Sequence, residues 1–201
     1  MHFGALRVLN DDIVAGGMGF GKHPHDNMEI ITIVLEGTLE HKDSMGHAQQ
    51  IVPDEVQVMS AGTGIHHSEY NPDPKNRANL LQTWIFPEKK GVEPRYDQRT
   101  FPKEERINKL QLLVSPMDND DAGLKIHQQA WIYRTSLEKG NTLTHTLHSS
   151  KHGAYVFVIS GEATANGQKL GKKDAAGITN VESIELSAGE TSDILIFEVP
   201  M

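Results

Sequence analysis

Two short patterns carry most of the chemistry in this chain. Lys22-His23-Pro24-His25 holds a His-x-His pair, and Gly64-Ile65-His66-His67-Ser68-Glu69 holds a His-x-Glu pair. On an extended strand alternate side chains share a face, so His23 and His25 project together, as do His67 and Glu69. Two such pairs on neighbouring strands can converge on one point inside a barrel. Three neutral imidazoles and one carboxylate suit a divalent first-row metal ion. Such a set leaves coordination positions open for water, dioxygen or substrate, which separates catalytic metal sites from closed structural ones. The same alternation turns His66 and Ser68 to the other face, so His66 stands beside a ligand without being one. Eleven histidines are present, seven of them within the first 67 residues, and cysteine is absent. Without cysteine there are no disulfides, thiolate nucleophiles, zinc ribbons or iron–sulfur clusters. Any transition-metal site must be built from His, Asp and Glu.

The elements that would position these residues are strands. Ile30–Leu35, Val56–Met59 and Leu80–Phe86 are apolar, β-branched or alternating runs closed by Gly, Pro or Asp, and Gln50–Pro53 is a shorter one. After residue 109 the pattern resumes with Leu110–Val114, Ala130–Arg134, Ala154–Ile159 and Asp193–Val199. Short strands between turn clusters predict an all-β barrel or sandwich. Pro102–Arg106 has the makings of one helical turn. The 201 residues, 37% hydrophobic with a net charge of −8, supply enough apolar material for a core. They argue against bulk attraction to nucleic acid or anionic lipid. No apolar run approaches the roughly 20 residues of a membrane span. The first residues lack a basic segment followed by an apolar one, so no secretory signal is visible, and the expected location is the cytoplasm.

A weak internal repeat divides the chain. Ile33-Val34-Leu35-Glu36-Gly37 resembles the strand and turn Val156–Gly161, and in each half a later apolar strand follows. The predicted organisation is therefore two tandem β units. Residues 1–90 form a metal-binding unit, 91–109 a polar, proline-containing connector, and 110–201 a second unit without an evident metal site. An ungapped alignment of Gly161 with Gly37 places Leu147 and Ser149 at the positions of His23 and His25. It places Thr191 and Asp193 at those of His67 and Glu69. His145, His148 and His152 lie close by and leave a degraded site open, but the second half reads mainly as a structural partner.

The stretches GFGKHPHDNMEIITIVLEG and DEVQVMSAGTGIHHSEYNP resemble the N-terminal cupin of the pirin family. The first carries two histidines two apart, Glu29, and a closing Gly37. The second carries Met59–Ile65 followed by His-x-Glu. The likeness extends through LLQTWIFP (80–87) and more loosely to the C-terminus as a second cupin. The resemblance implies two tandem cupin (jelly-roll) barrels, with one divalent metal on His23, His25, His67 and Glu69. Iron(II) is the first choice, and zinc, copper, cobalt, nickel or manganese also suit these ligands. Glu29 supplies a ligand in many other cupins; here it and His66 are read as supporting residues around the site. Met18, Phe20, Met59 and Ile65 are candidate apolar lining, with plain core packing as the competing reading. Family members carry additional residues ahead of the stretch matching Phe3–Val8. Their loss is expected to bear on substrate selectivity and to leave an edge strand open to another chain.

For several bacterial members the resemblance implies quercetin 2,3-dioxygenase activity, the opening of a flavonol ring by O2 with release of carbon monoxide. The expected partners are a small aromatic or flavonol-like substrate and O2, with no nucleic acid and no membrane, in a monomer or homodimer. Glu69 is the candidate catalytic residue, either staying on the metal or accepting the flavonol hydroxyl proton. The alternative is a non-enzymatic, metal-binding regulatory or redox-sensing protein acting through protein partners. A sugar-isomerase-like cupin would share the metal chemistry without needing O2.

Overall fold

The structure, a computed structural model, describes residues 2–201 and is almost entirely β. It divides into two compact units. One comprises Leu6–Phe101 and Ile126–Gln128. The other comprises Pro102–Lys125 and Gln129–Met201, with the N-terminal residues through Ala5.

The first unit contains β1 (Leu6–Val14), β2 (Gly19–His25), β3 (Glu29–Glu36), β4 (Leu39–Asp43), β5 (Ala48–Ile51), β6 (Glu55–Ser60), β7 (Ile65–Tyr70), β8 (Ala78–Ile85) and β9 (Arg95–Thr100). These strands make two sheets, ordered β1-β8-β3-β6-β9 and β2-β7-β4-β5. The pairings are antiparallel. Successive strands cross between the sheets in the jelly-roll manner. The second unit follows with β10 (Gln111–Pro116), β11 (Leu124–Ile126, whose last residue falls in the first unit), β12 (Trp131–Leu137), β13 (Thr142–Thr146), β14 (His152–Ser160), β15 (Ala163–Ala165), β16 (Gln168–Leu170), β17 (Ala175–Ile178), β18 (Ser183–Ala188) and β19 (Ser192–Pro200). Its sheet orders β12-β19-β14-β17 and β13-β18-β15-β16 repeat β1-β8-β3-β6 and β2-β7-β4-β5. The chain is thus two cupin barrels in tandem.

The stretch 91–109, expected as a connector, holds more structure than its composition suggests. β9 pairs along β6 from Glu55↔Thr100 to Ser60↔Arg95 and completes the first sheet. A 3-10 turn, Lys103–Arg106, stands where the helical turn is predicted. β9 reads Arg-Tyr-Asp-Gln-Arg-Thr and is only half-buried, so it carries no apolar alternation to reveal it.

Register sets the interior of the first barrel. On β3 and β8 the pairs Val34↔Leu80, Thr32↔Gln82 and Ile30↔Trp84 succeed one another. Val34 and Leu80 join Val14, Leu39 and Ile51 in one apolar cluster. Ile30 joins Met59, Ala61 and Ile65 in another, against which Met28 and Trp84 pack. Between these apolar layers lies the polar step Thr32–Gln82. Gly37, closing β3, sits at φ +77°, where a Cβ would come within 2.7 Å of the Arg77 carbonyl. Gly161, closing β14, sits at φ +89° with the Thr191 carbonyl 2.5 Å from a Cβ position. Both turns demand glycine.

Candidate metal centre

β2 and β7 lie side by side with His23 opposite His67 and His25 opposite Ile65. Along β7 burial alternates: Ile65, His67 and Glu69 are buried, His66 and Tyr70 exposed. Strand parity turns His67 and Glu69 to one face of β7 and His66 to the other, and a register shift between Phe20 and His23 sets His23 opposite His67. The rings of His23, His25 and His67 meet with centroids 4.3–4.9 Å apart, and their ligand atoms lie within 4.8 Å of one another.

Hydrogen bonding prepares the rings as donors of lone pairs. His23 Nδ1 is 2.7 Å from the Gly21 carbonyl. A carbonyl only accepts, so His23 carries its proton on Nδ1 and leaves Nε2 free. His25 Nε2 and His67 Nε2 are buried without a hydrogen-bond partner. Burial, reinforced by the neighbouring histidines, pushes His25 down to about 4 and His67 down to about 3. Both rings are therefore neutral near pH 7. Orphaned ring nitrogens at one buried point are costly unless something binds them. A divalent cation fits them, because it takes neutral imidazole.

Glu69 is buried on the same face of β7 and groups with His67 and His41. Gln82 Nε2 donates to both of its oxygens at 3.0 and 2.9 Å, and Trp84 Nε1 donates to Gln82 Oε1 at 3.1 Å. Trp84 also meets the His25 ring edge-on at 5.0 Å. The polar step between the apolar layers is thus the support of Glu69. Burial raises the Glu69 carboxyl above the usual carboxylate range, against the pull of the Gln82 hydrogen bonds.

Behind His67 runs a chain that the sequence reading missed. His41 on β4 is fully buried, lies opposite Glu69, and has its Nδ1 3.5 Å from His67 Nδ1. His41 Nε2 contacts Asp43 at 3.2 Å, and His47 Nδ1 contacts the same carboxylate at 2.9 Å. The Tyr96 ring covers His47 and His41. Burial alone would raise Asp43, but hydrogen bonds from His41 and His47 pull it below its ordinary value. The missed signal was His41-Lys42-Asp43, another pair two residues apart on a strand that pairs with β7.

Other expected site residues are placed differently. His66 is on the solvent face, its backbone N–H bonded to Ser44 Oγ, so it does not back the ligands. Glu29 is buried and accepts from Ser60 Oγ at 2.6 Å. It belongs to none of the metal-competent groups among the described residues. Met18 and Phe20 are 61% and 43% exposed. Met59 and Ile65 are core residues of the apolar layer that includes Trp84.

Residues 1–85 match the pirin family and residues 112–199 the quercetinase C-terminal cupin domain. A protein of Escherichia coli named quercetin 2,3-dioxygenase is 45% identical over 200 residues, spanning all of this chain and 84% of that protein. A pirin-like protein of Caulobacter vibrioides is 38% identical over 98% of this chain and 84% of its own length. Among solved structures, YhhW from E. coli superposes with a TM-score of 0.94 at 45% identity, covering 100% of this chain and 83% of that one. The structure of bacterial pirin YhhW in complex with nickel(II) gives 0.93 at 44% identity, covering 100% and 84%. With both barrels matched and identity this high along the whole chain, the protein belongs to the pirin family.

Proposed function

We propose that the protein is a metal-dependent dioxygenase of the quercetinase type, acting on a flavonol-like substrate and O2. The observation that carries the reading is the convergence of His23, His25 and His67, two with orphaned Nε2 atoms, next to a buried, amide-held Glu69. The E. coli relative named quercetin 2,3-dioxygenase supports the substrate class. His23, His25, His67 and Glu69 are the residues that would hold a divalent ion. Iron(II) remains our first assignment, and nickel(II), which a relative's structure contains, suits the same donors.

A divalent ion held there supplies Lewis acidity toward a substrate hydroxyl. The chain's own residues do the rest. His25 and His67 stay neutral, because burial and mutual repulsion keep protons off them. Glu69, buried on the same face of β7 as His67, either stays on the ion or swings off it to take the hydroxyl proton. Gln82 fixes the orientation of that carboxylate, and Trp84 supports Gln82 while limiting motion of His25.

The test is to load the protein with each of iron(II), nickel(II), cobalt(II), copper(II), manganese(II) and zinc(II), add quercetin under O2, and follow loss of flavonol absorbance. Turnover with at least one ion is expected. His67→Ala is expected to lose the ion by elemental analysis and to lose turnover, while His66→Ala keeps both. Absence of turnover with all six ions on a metal-loaded protein would favour the regulatory, non-enzymatic reading.

A further inference from the structure

The second barrel contains its own convergence of imidazoles and a carboxylate. Glu198 on β19 is fully buried and accepts four hydrogen bonds. His145 Nε2 lies 2.7 Å and His148 Nδ1 2.9 Å from Oε2; His152 Nδ1 and the His148 backbone N–H each lie 2.7 Å from Oε1. Burial alone would raise this carboxyl, but the three histidines and the backbone N–H hold it down at about 2, so it is anionic at any ordinary pH.

Strand register shows how this cluster relates to the first barrel. Val158↔Ile194 and Ala154↔Glu198 stand where Val34↔Leu80 and Ile30↔Trp84 stand. Glu198 therefore occupies the place of Trp84, and Ile196 that of Gln82. On the other sheet Thr164↔Ser187 matches Glu40↔Tyr70, which brings His145↔Ile184 onto His23↔His67. His145 thus holds the position of His23, while Leu147, Ile184 and Leu186 replace His25, His67 and Glu69. This corrects the ungapped alignment, which pointed at Ser149, Thr191 and Asp193. The polar step inside the barrel has moved along β19 from the Gln82 layer to the Trp84 layer, and the imidazoles have gathered around it there.

We propose that the second barrel binds a divalent first-row transition ion of its own, through His145 Nε2, His148 Nδ1 and Glu198 Oε2. These three residues have ligand atoms within 4.8 Å of one another. Two imidazoles and one carboxylate are a recognised ligand set for such ions and leave positions open. His152 and the His148 backbone N–H hold Oε1, which the ion does not need, and so fix the carboxylate with Oε2 turned toward His145 and His148. Binding requires the ring nitrogens that face Glu198 to give up their protons, since an ion takes the lone pair of a neutral imidazole. Trp131 lies flat on the His148 ring, centroids 3.9 Å apart and planes at 3°, and orients it. Its buried Nε1–H has no acceptor and is a donor available to a further ligand. His148 is partly exposed, and a cleft of about 450 Å³ lined by Lys151, His152, Thr179 and Asn180 reaches the cluster's rim. The exposed side of His148 gives an ion a route in. A purely structural role would not need three imidazoles on one carboxylate, since apolar packing of similar volume serves a barrel core as well or better.

The inference does not rest on the proposed oxygenase function. The test loads chelator-treated protein with excess nickel(II), removes unbound ion, and counts bound nickel by elemental analysis and native mass spectrometry. Two ions per chain are expected in the wild type, one in His67→Ala and one in His148→Phe. The phenylalanine keeps the ring on Trp131 and the backbone N–H on Glu198, so folding should survive; circular dichroism checks this. Glu198→Gln should likewise bind one ion. A wild type holding one ion that His67→Ala loses and His148→Phe keeps would overturn the proposal. A single ion kept by His67→Ala and lost by His148→Phe would uphold it while defeating the assignment of the first barrel's site.

Discussion

Glu69 receives hydrogen bonds on both oxygens from one amide, Gln82, and that dependence makes Gln82 the most informative single position in the first barrel. Gln82→Leu keeps the volume but leaves a buried carboxylate short of donors. Stability should fall by about 1–3 kcal/mol, read by chemical denaturation, and affinity for nickel(II) should weaken by roughly 10–100-fold, read by titration calorimetry. Glu29 makes a different prediction. Burial lifts its carboxyl from 4.5 to about 7, against hydrogen bonds from Ser60 and the His127 backbone and the nearby Arg95 charge. Between those two values the folded chain keeps a proton that the unfolded chain has released. Stability contributed by the neutral acid is therefore full below about pH 4.5 and is lost as pH rises through about 7, an effect on the order of 3 kcal/mol. Glu29→Gln, whose amide cannot ionise, should flatten that part of the stability-versus-pH curve. An unchanged slope would show that Glu29 is not responsible.

At the scale of elements, the two closing turns carry the repeat. Gly161 needs φ +89° and has the Thr191 carbonyl 2.5 Å from a Cβ position, so Gly161→Ala suffers both left-handed strain and a backbone clash. A loss of more than 1 kcal/mol is expected, measured as a lower Tm. Gly167→Ala, also at positive φ but with nothing within 4 Å, should cost less. The Gly37 and Gly161 turns were legible because a β-branched run ending in Gly is a local signal. β3, β8, β14 and β19 were legible for the same reason: their residues are buried almost throughout, which demands continuous apolar stretches. β1 and β9 were not. Their burial patterns are broken by exposed and half-exposed positions, and each is held by pairing to one neighbour in a sheet, β8 for β1 and β6 for β9. Backbone pairing leaves no mark on side-chain periodicity.

For the whole molecule, the two barrels share a topology and differ in where polarity enters the interior. An ion that binds only the folded chain stabilises it in proportion to the logarithm of its concentration. Nickel(II) at about 100 times its Kd should add about 2.7 kcal/mol per occupied site and raise Tm, and chelator should reverse the gain. His67→Ala should remove the first barrel's share of that gain, which differential scanning calorimetry would show.

The sequence by itself determined the all-β class, the repeat, and the parity that turns His23, His25, His67 and Glu69 inward and His66 out, because alternation on a strand is a local property of the chain. Only the tertiary structure decided that Gln82 and Trp84 hold Glu69, that His41 and Asp43 stand behind His67, and that His145, His148 and His152 close on Glu198. Each of those contacts joins strands distant in sequence through a register set by pairing and bulges, and a shift of one residue would send the same side chains to the opposite face.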